Sequence, residues 1–116
     1  MARPDPPAAA VLVDPTYQGL AADLPALIAL LHQAGLPVLV DQAHGCGEAV
    51  AAGADLTVLS LQKSGGGLAQ SALLLARGPR CDPQALERSL LWLQTSSPSA
   101  LLLAATAATG ARSEEH

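Results

Sequence analysis

Phenylalanine is absent from this chain of 116 residues, and its aromatics are Tyr17 and Trp92 alone. A core without large rings has to be built from Leu, Val and Ala, whose small side chains let elements pack closely. Apolar residues make up 50% of the chain, enough for one domain to bury a core. Cations are scarce as well: six Lys and Arg stand against ten Asp and Glu, for a net charge of -4. Nucleic-acid binding relies on clustered cations, so that class is excluded. No run reaches the roughly 18 apolar residues that span a bilayer, and no membrane partner is expected. Cys46 and Cys81 form no CxxC pattern, and no metal site is expected. Reduced, partly buried thiols in a cytoplasmic protein are the expectation, with a disulfide as the alternative. The start, Met1 to Pro7, has Pro and Asp where a signal peptide needs an apolar run.

Lysine is the rarest cation of all. Lys63 is the one lysine, while Arg3, Arg77, Arg80, Arg88 and Arg112 supply every other cation. A guanidinium stays protonated, whereas an amine can lose its proton and attack a carbonyl. Lys63 is thus a candidate Schiff-base nucleophile, with a solvated surface lysine as the plainer reading. It sits where the apolar run Leu56 to Leu61 breaks into Gly65-Gly66-Gly67.

Ala8 to Val13 is a continuous apolar run, as in a strand buried on both faces of a parallel sheet. Asp23 to Ala34 reads as a helix, capped by Asp23, with Pro25 in its first turn and Leu24, Leu27, Ile28 and Leu31 on one stripe. Gly35 and Pro37 stop it. Val38 to Val40 is a second strand ending at Asp41, which completes a right-handed βαβ unit. Cys46 to Ala52 is at most two helical turns, closed by Gly53. Asp55 to Leu61 is a third strand and delivers Lys63. The link from Gln62 to Gln70 is too short for a parallel crossover, so a fourth strand, Ser71 to Ala76, should run antiparallel. Asp82-Pro83 opens a helix to about Leu93 with Leu86, Leu90 and Leu93 as its buried stripe. A last helix, Ser99 to Thr109, should end at Gly110. Residues 1–8 and 111–116 are expected to be disordered. His32 is expected on a helix surface and His116 in the tail. The fold class is α/β: a partial three-layer sheet, mostly parallel, with one antiparallel strand.

Asp41 and Lys63 both fall at carboxyl ends of parallel strands, the edge where open α/β sheets bind ligands. An amine and a carboxylate converging there suit pyridoxal 5'-phosphate. The lysine attaches the aldehyde, and the acid keeps the pyridine nitrogen protonated. A simple salt bridge is the alternative. His44 lies close enough to bond Asp41 or the cofactor's ring oxygen. Ser60, Gln62, Ser64 and Thr95 are neutral groups suited to a phosphate. The three glycines do not form a Walker loop, since Gln62 stands where glycine must precede the lysine.

These residues resemble the Orn/Lys/Arg decarboxylases, fold-type-I pyridoxal-phosphate enzymes. Asp14-Pro15-Thr16-Tyr17-Gln18-Gly19 resembles the family's Pro-Thr-Tyr-x-Gly. Val40-Asp41-Gln42-Ala43-His44-Gly45 resembles Val-Asp-Glu-Ala-His-Gly. Gly53-Ala54-Asp55 and Ser60-Leu61-Gln62-Lys63 resemble Gly-Ala-Asp and the cofactor-attaching Ser-x-His-Lys. Gln70-Ser71-Ala72 and Thr95-Ser96-Ser97-Pro98-Ser99 resemble later blocks. The resemblance implies that Lys63 carries the cofactor, Asp41 meets its ring nitrogen, Ala43 packs on its ring and Ser60 touches its phosphate. It further implies that Thr95 reaches the phosphate of a neighbouring subunit in a homodimer. The implied reaction is α-decarboxylation of lysine, arginine or ornithine.

The chain also departs from the family. Gln62 replaces a His, Ala100 stands where Tyr is usual, and the segment after Gly45 is shorter. The resemblance covers the core segment of the large domain, without the Gly/Ser phosphate loop or the ring-stacking His. A noncatalytic remnant and an aminotransferase-like protein are therefore the alternative readings.

Overall fold

The computed structural model describes residues 5–63, 65–68 and 70–113, with side chains as far as residue 109. The expectations for Ser64, His116 and the first four residues lie outside the described residues. Four strands form one sheet in the order β1 (Ala10–Val13), β2 (Val38–Gln42), β3 (Leu56–Ser60) and β4 (Ala72–Ala76). β1, β2 and β3 are parallel neighbours, and β4 runs antiparallel to β3. This is the α/β sheet the sequence implies, with the short β3–β4 link setting the reversal.

Helix α1 (Leu24–Gln33) connects β1 to β2, and α2 (Glu48–Ala52) connects β2 to β3. The Ala26 N–H donates to Asp23 Oδ1 at 3.1 Å, which satisfies one of the free amides at the start of α1. Leu24 and Ile28 bury the stripe of α1 against Val38 and Val40, with Ala49 of α2 and Ala54 completing the core. Alternation along β2 sends Val38, Val40 and Gln42 to this covered face and Leu39 and Asp41 to the other. On that other face Val11 is 68% exposed and Val13 58% exposed. Strand β1 is thus covered on one face only, although its continuous apolar run suggests both, because α1 and α2 pack on a single side of the sheet.

The β3–β4 link closes on itself. The Gly67 N–H donates to Leu61 O at 2.6 Å, and the Gln70 N–H donates to Gln62 Oε1 at 2.6 Å. A Cβ on Gly65 would lie 2.9 Å from the Leu61 Cα, so this glycine is required by close approach of two backbones.

The carboxyl-terminal third differs from expectation. Helix α3 (Pro83–Leu93) forms where its Asp82 cap and Pro83 place it, and the Gln84 N–H donates to Asp82 Oδ1 at 3.0 Å. Its Leu86, Leu90 and Leu93 stripe is not buried: Leu86 is half-buried, and Leu93 is 87% exposed. The periodicity is real, but the described residues offer that face no partner surface. Helix α4 (Ala100–Ser113) continues through Gly110 instead of stopping there. A glycine inside an alanine-rich helix costs only about 1 kcal/mol, too little to end it without a left-handed turn.

Candidate functional site

Strands β2 and β3 pair in parallel with Asp41 opposite Val58 and Gln42 opposite Leu59. Their carboxyl ends therefore release two loops side by side. Asp41 leaves β2 on the face away from α1, half-buried, and its Oδ1 accepts the Ala43 N–H at 2.9 Å. That bond turns the chain so that Ala43 is half-buried and His44 is exposed. Ser60 ends β3 two residues beyond Val58, on the same face as Asp41 by alternation. The Lys63 N–H donates to Ser60 O at 3.3 Å, which brings the lysine back over the strand end.

The two loops meet through side chains. Lys63 Nζ lies 3.3 Å from His44 Nε2. The Tyr17 ring stands edge-on to His44, with centroids 5.4 Å apart and planes at 82°. Tyr17, His44 and Lys63 thus form a chain of contacts from β1 to β3 across one edge of the sheet. His44 bonds towards Lys63, while Asp41 takes the Ala43 amide. The expected pairing of His44 with Asp41 is replaced by this division.

The other sequence-predicted groups are engaged locally. Gln62 is exposed, and its side-chain carbonyl accepts the Gln70 N–H, so it clamps the glycine turn. Thr95 lies on the exposed loop after α3, where its Oγ1 accepts the Ser97 N–H at 3.2 Å. Cys46 and Cys81 are free thiols, the first exposed and the second half-buried, where burial pushes its pKa up, with Asp55 adding to the effect. Cys46 is more open than the sequence suggests, since it lies in the turn between β2 and α2 and not within either element.

Sequence reasoning missed the group that sets the His44 turn. Gln42 is fully buried; its Oε1 accepts the Ala49 N–H at 3.0 Å, and its Nε2 donates to Glu48 Oε2 at 3.1 Å. Glu48 Oε2 also accepts the Cys46 N–H at 3.0 Å. The Glu48 carboxyl is held below its ordinary pKa by its own N–H and that of Cys46, with burial opposing and the Gln42 amide assisting. A Cβ on Gly45 would come within 3.0 Å of Gln42 Nε2 and 3.1 Å of Pro15 Cδ. The alternation Val38, Val40, Gln42 was the available signal: it assigns Gln42 to the core face.

His32 was the second miss. It is half-buried rather than on the surface, and its Nε2 donates to Asp55 Oδ2 at 2.7 Å. Asp55 is 2% exposed and also accepts the Val38 N–H at 2.8 Å. This cluster lies before β3, at the opposite strand end from Lys63, and fixes β2 against β3.

The mixed, mainly parallel sheet with helices linking its parallel strands makes this an α/β domain, with a lysine and an acid near neighbouring carboxyl ends of its strands. The chain belongs to the Orn/Lys/Arg decarboxylase family, whose major-domain model matches residues 2–116. An arginine decarboxylase of Bacillus subtilis is 41% identical over an aligned length of 103, which covers 81% of this chain and 21% of that protein. Arginine decarboxylases of Halalkalibacterium halodurans and Bacillus cereus are 38% and 37% identical over the same length and also over 81% of this chain, covering 21% and 22% of their own lengths. The chain therefore spans about a fifth of the curated relatives it matches. Among the described residues, no helix is long and apolar enough to cross a membrane.

Proposed function

We propose that this chain is the cofactor-bearing core of a pyridoxal-phosphate-dependent decarboxylase of a basic amino acid: lysine, arginine or ornithine. The observation that carries the reading is the contact of Lys63 Nζ with His44 Nε2, three residues beyond Asp41, in a chain of this family.

The donor set fits the aldehyde and ring ends of the cofactor. Lys63 is an exposed amine beside an imidazole, and Asp41 is a carboxylate with one oxygen already oriented by the Ala43 N–H. Pyridoxal phosphate, when bound, supplies the electron sink for the carbanion left by loss of carbon dioxide. Lys63 would hold it covalently. Asp41 would keep a proton on its ring nitrogen, and Ala43, small and half-buried, would leave room for the ring. His44 Nε2 is within reach to accept a proton from Lys63 Nζ, which frees the amine's lone pair. Tyr17 limits the swing of the imidazole. Ser60 and Gln62 would serve the phosphate, Gln62 through its amide nitrogen because its carbonyl is committed to Gln70, and Thr95 would reach the phosphate of a neighbouring subunit.

A second reading, a noncatalytic member of the family, is favoured by the exposed stripe of α3. One experiment separates the two. The full chain is incubated with pyridoxal 5'-phosphate, reduced with borohydride and weighed by mass spectrometry. A single adduct on Lys63, absent in Lys63→Ala, supports the decarboxylase reading. No adduct at millimolar cofactor defeats it. Release of amine from each of the three amino acids then tests the reaction.

A further inference from the structure

A groove of about 520 Å³ opens beside the site. It runs between the loop from β1 to α1 and the turn from β2 into α2. Its volume falls within the roughly 300–1,000 Å³ usual for small-molecule sites. Its walls are short and apolar, with Pro15, Ala22, Pro25 and Ala51 among them. Its polar lining includes His44, Asp14 and Glu48, and among the described residues neither lysine nor arginine takes part. Asp14 is only 7% exposed, and among the described residues its carboxylate accepts one hydrogen bond, from the Ala22 N–H at 2.6 Å. The groove wall thus presents a carboxylate with one hydrogen-bond donor and no basic side chain beside it among the described residues. Glu48 is exposed at the rim, with Oε2 oriented by the Cys46 N–H and the Gln42 amide. His44 lines the groove and also touches Lys63, so the groove opens onto the proposed reaction centre.

We propose that this groove receives the methylene chain and terminal cation of a basic amino acid or its amine product. The chain lies along the alanine and proline walls, and the Asp14 and Glu48 carboxylates hold the ammonium or guanidinium. The ligand class rests on the decarboxylase reading above. An anion would meet two carboxylates there, and a neutral chain would leave Asp14 uncompensated.

The test titrates the full chain with n-pentylammonium and n-butylguanidinium, using n-pentanol as the uncharged control, and follows amide NMR shifts. The cations should give saturable shifts at Ala22, Cys46 and Ala51, and pentanol should bind at least about fivefold more weakly. Glu48→Gln should weaken cation binding by about the same factor, because its amide oxygen still accepts the Cys46 N–H and keeps the turn. Ala51→Leu, which fills the groove, should abolish binding. Equal binding of pentanol and the cations, no shift at saturating ligand, or unchanged binding in Ala51→Leu would each overturn the proposal. The Lys63 adduct is measured separately. An adduct without groove shifts defeats the groove alone, whereas groove shifts without an adduct defeat the decarboxylase reading.

Discussion

Replacing Asp55 should separate the value of its charge from that of its shape. The carboxylate is 2% exposed and collects three partners: the Val38 N–H at 2.8 Å, His32 Nε2 at 2.7 Å and Arg80 at 3.7 Å. Arg80 is substantially exposed and beyond hydrogen-bond distance, so it adds little. The Val38 amide is buried, and Asp55→Ala leaves it without an acceptor, a loss of about 1–3 kcal/mol. Adding the freed, half-buried His32 brings the total to about 2–4 kcal/mol. Asp55→Asn can keep an oxygen where Oδ2 accepts both donors, so it should lose only about 1 kcal/mol. Urea unfolding followed by circular dichroism at pH 7 measures both. pH gives a second readout. Burial would raise the Asp55 pKa, but the Val38 N–H, His32 and Arg80 outweigh it and hold the carboxyl below its ordinary value. A depressed acid stabilises the fold above its unfolded pKa of about 3.9, and that contribution is lost as the pH falls through the lower folded value. The wild type should therefore lose its advantage over Asp55→Asn below about pH 4. Equal midpoints for the Ala and Asn variants, or an advantage that persists in acid, would refute this account.

Gly45→Ala should destabilise by about 1–3 kcal/mol, since its Cβ would press on Gln42 and Pro15. It should also slow adduct formation at Lys63 by moving His44; an unchanged rate with an unchanged urea midpoint would contradict this. The exposed stripe of α3 predicts a contrast within one fold. Leu93→Gln should stay within about 0.5 kcal/mol of wild type, while Ile28→Ala should lose about 2–5 kcal/mol. Similar midpoints for these two variants in urea would show that α3 is packed after all.

The sheet was readable because each of its signals is local. The continuous run before Asp14, the Asp23 cap with Pro25, and the stop at Gly35 each settle one boundary without reference to distant residues. The antiparallel fourth strand followed from the length of one link. The failures share a cause: they needed a partner that the local pattern does not name. The stripe of Leu86, Leu90 and Leu93 states that α3 has an apolar face, not that anything covers it. His32 looks like a surface residue on α1 until Asp55, 23 residues later, turns out to be its acceptor. The Lys63–His44 contact spans 19 residues and depends on the register of β2 against β3, which no motif encodes.

Residues 41 to 48 explain why a short motif can carry so much of the site. Alternation at the end of β2 sends Asp41 to the open face and Gln42 into the core, so neighbouring residues take chemical and structural work respectively. Gln42 then bonds forward to Ala49 and Glu48, which anchors the start of α2. Between those anchors the chain has room for one tight turn, and Gly45 is the residue whose missing side chain lets it pass Gln42 and Pro15. His44 precedes that glycine and has to project outward, where Lys63 meets it. A buried glutamate in place of Gln42 would set two carboxylates about 3 Å apart across the bond to Glu48, and one would have to take up a proton. A neutral amide donates that bond without titrating itself, so the histidine turn depends on one carboxyl staying ionised, that of Glu48, which is held below its ordinary pKa. The position of His44 beside the lysine is thus fixed from beneath the sheet edge, by a residue that points away from the reaction centre.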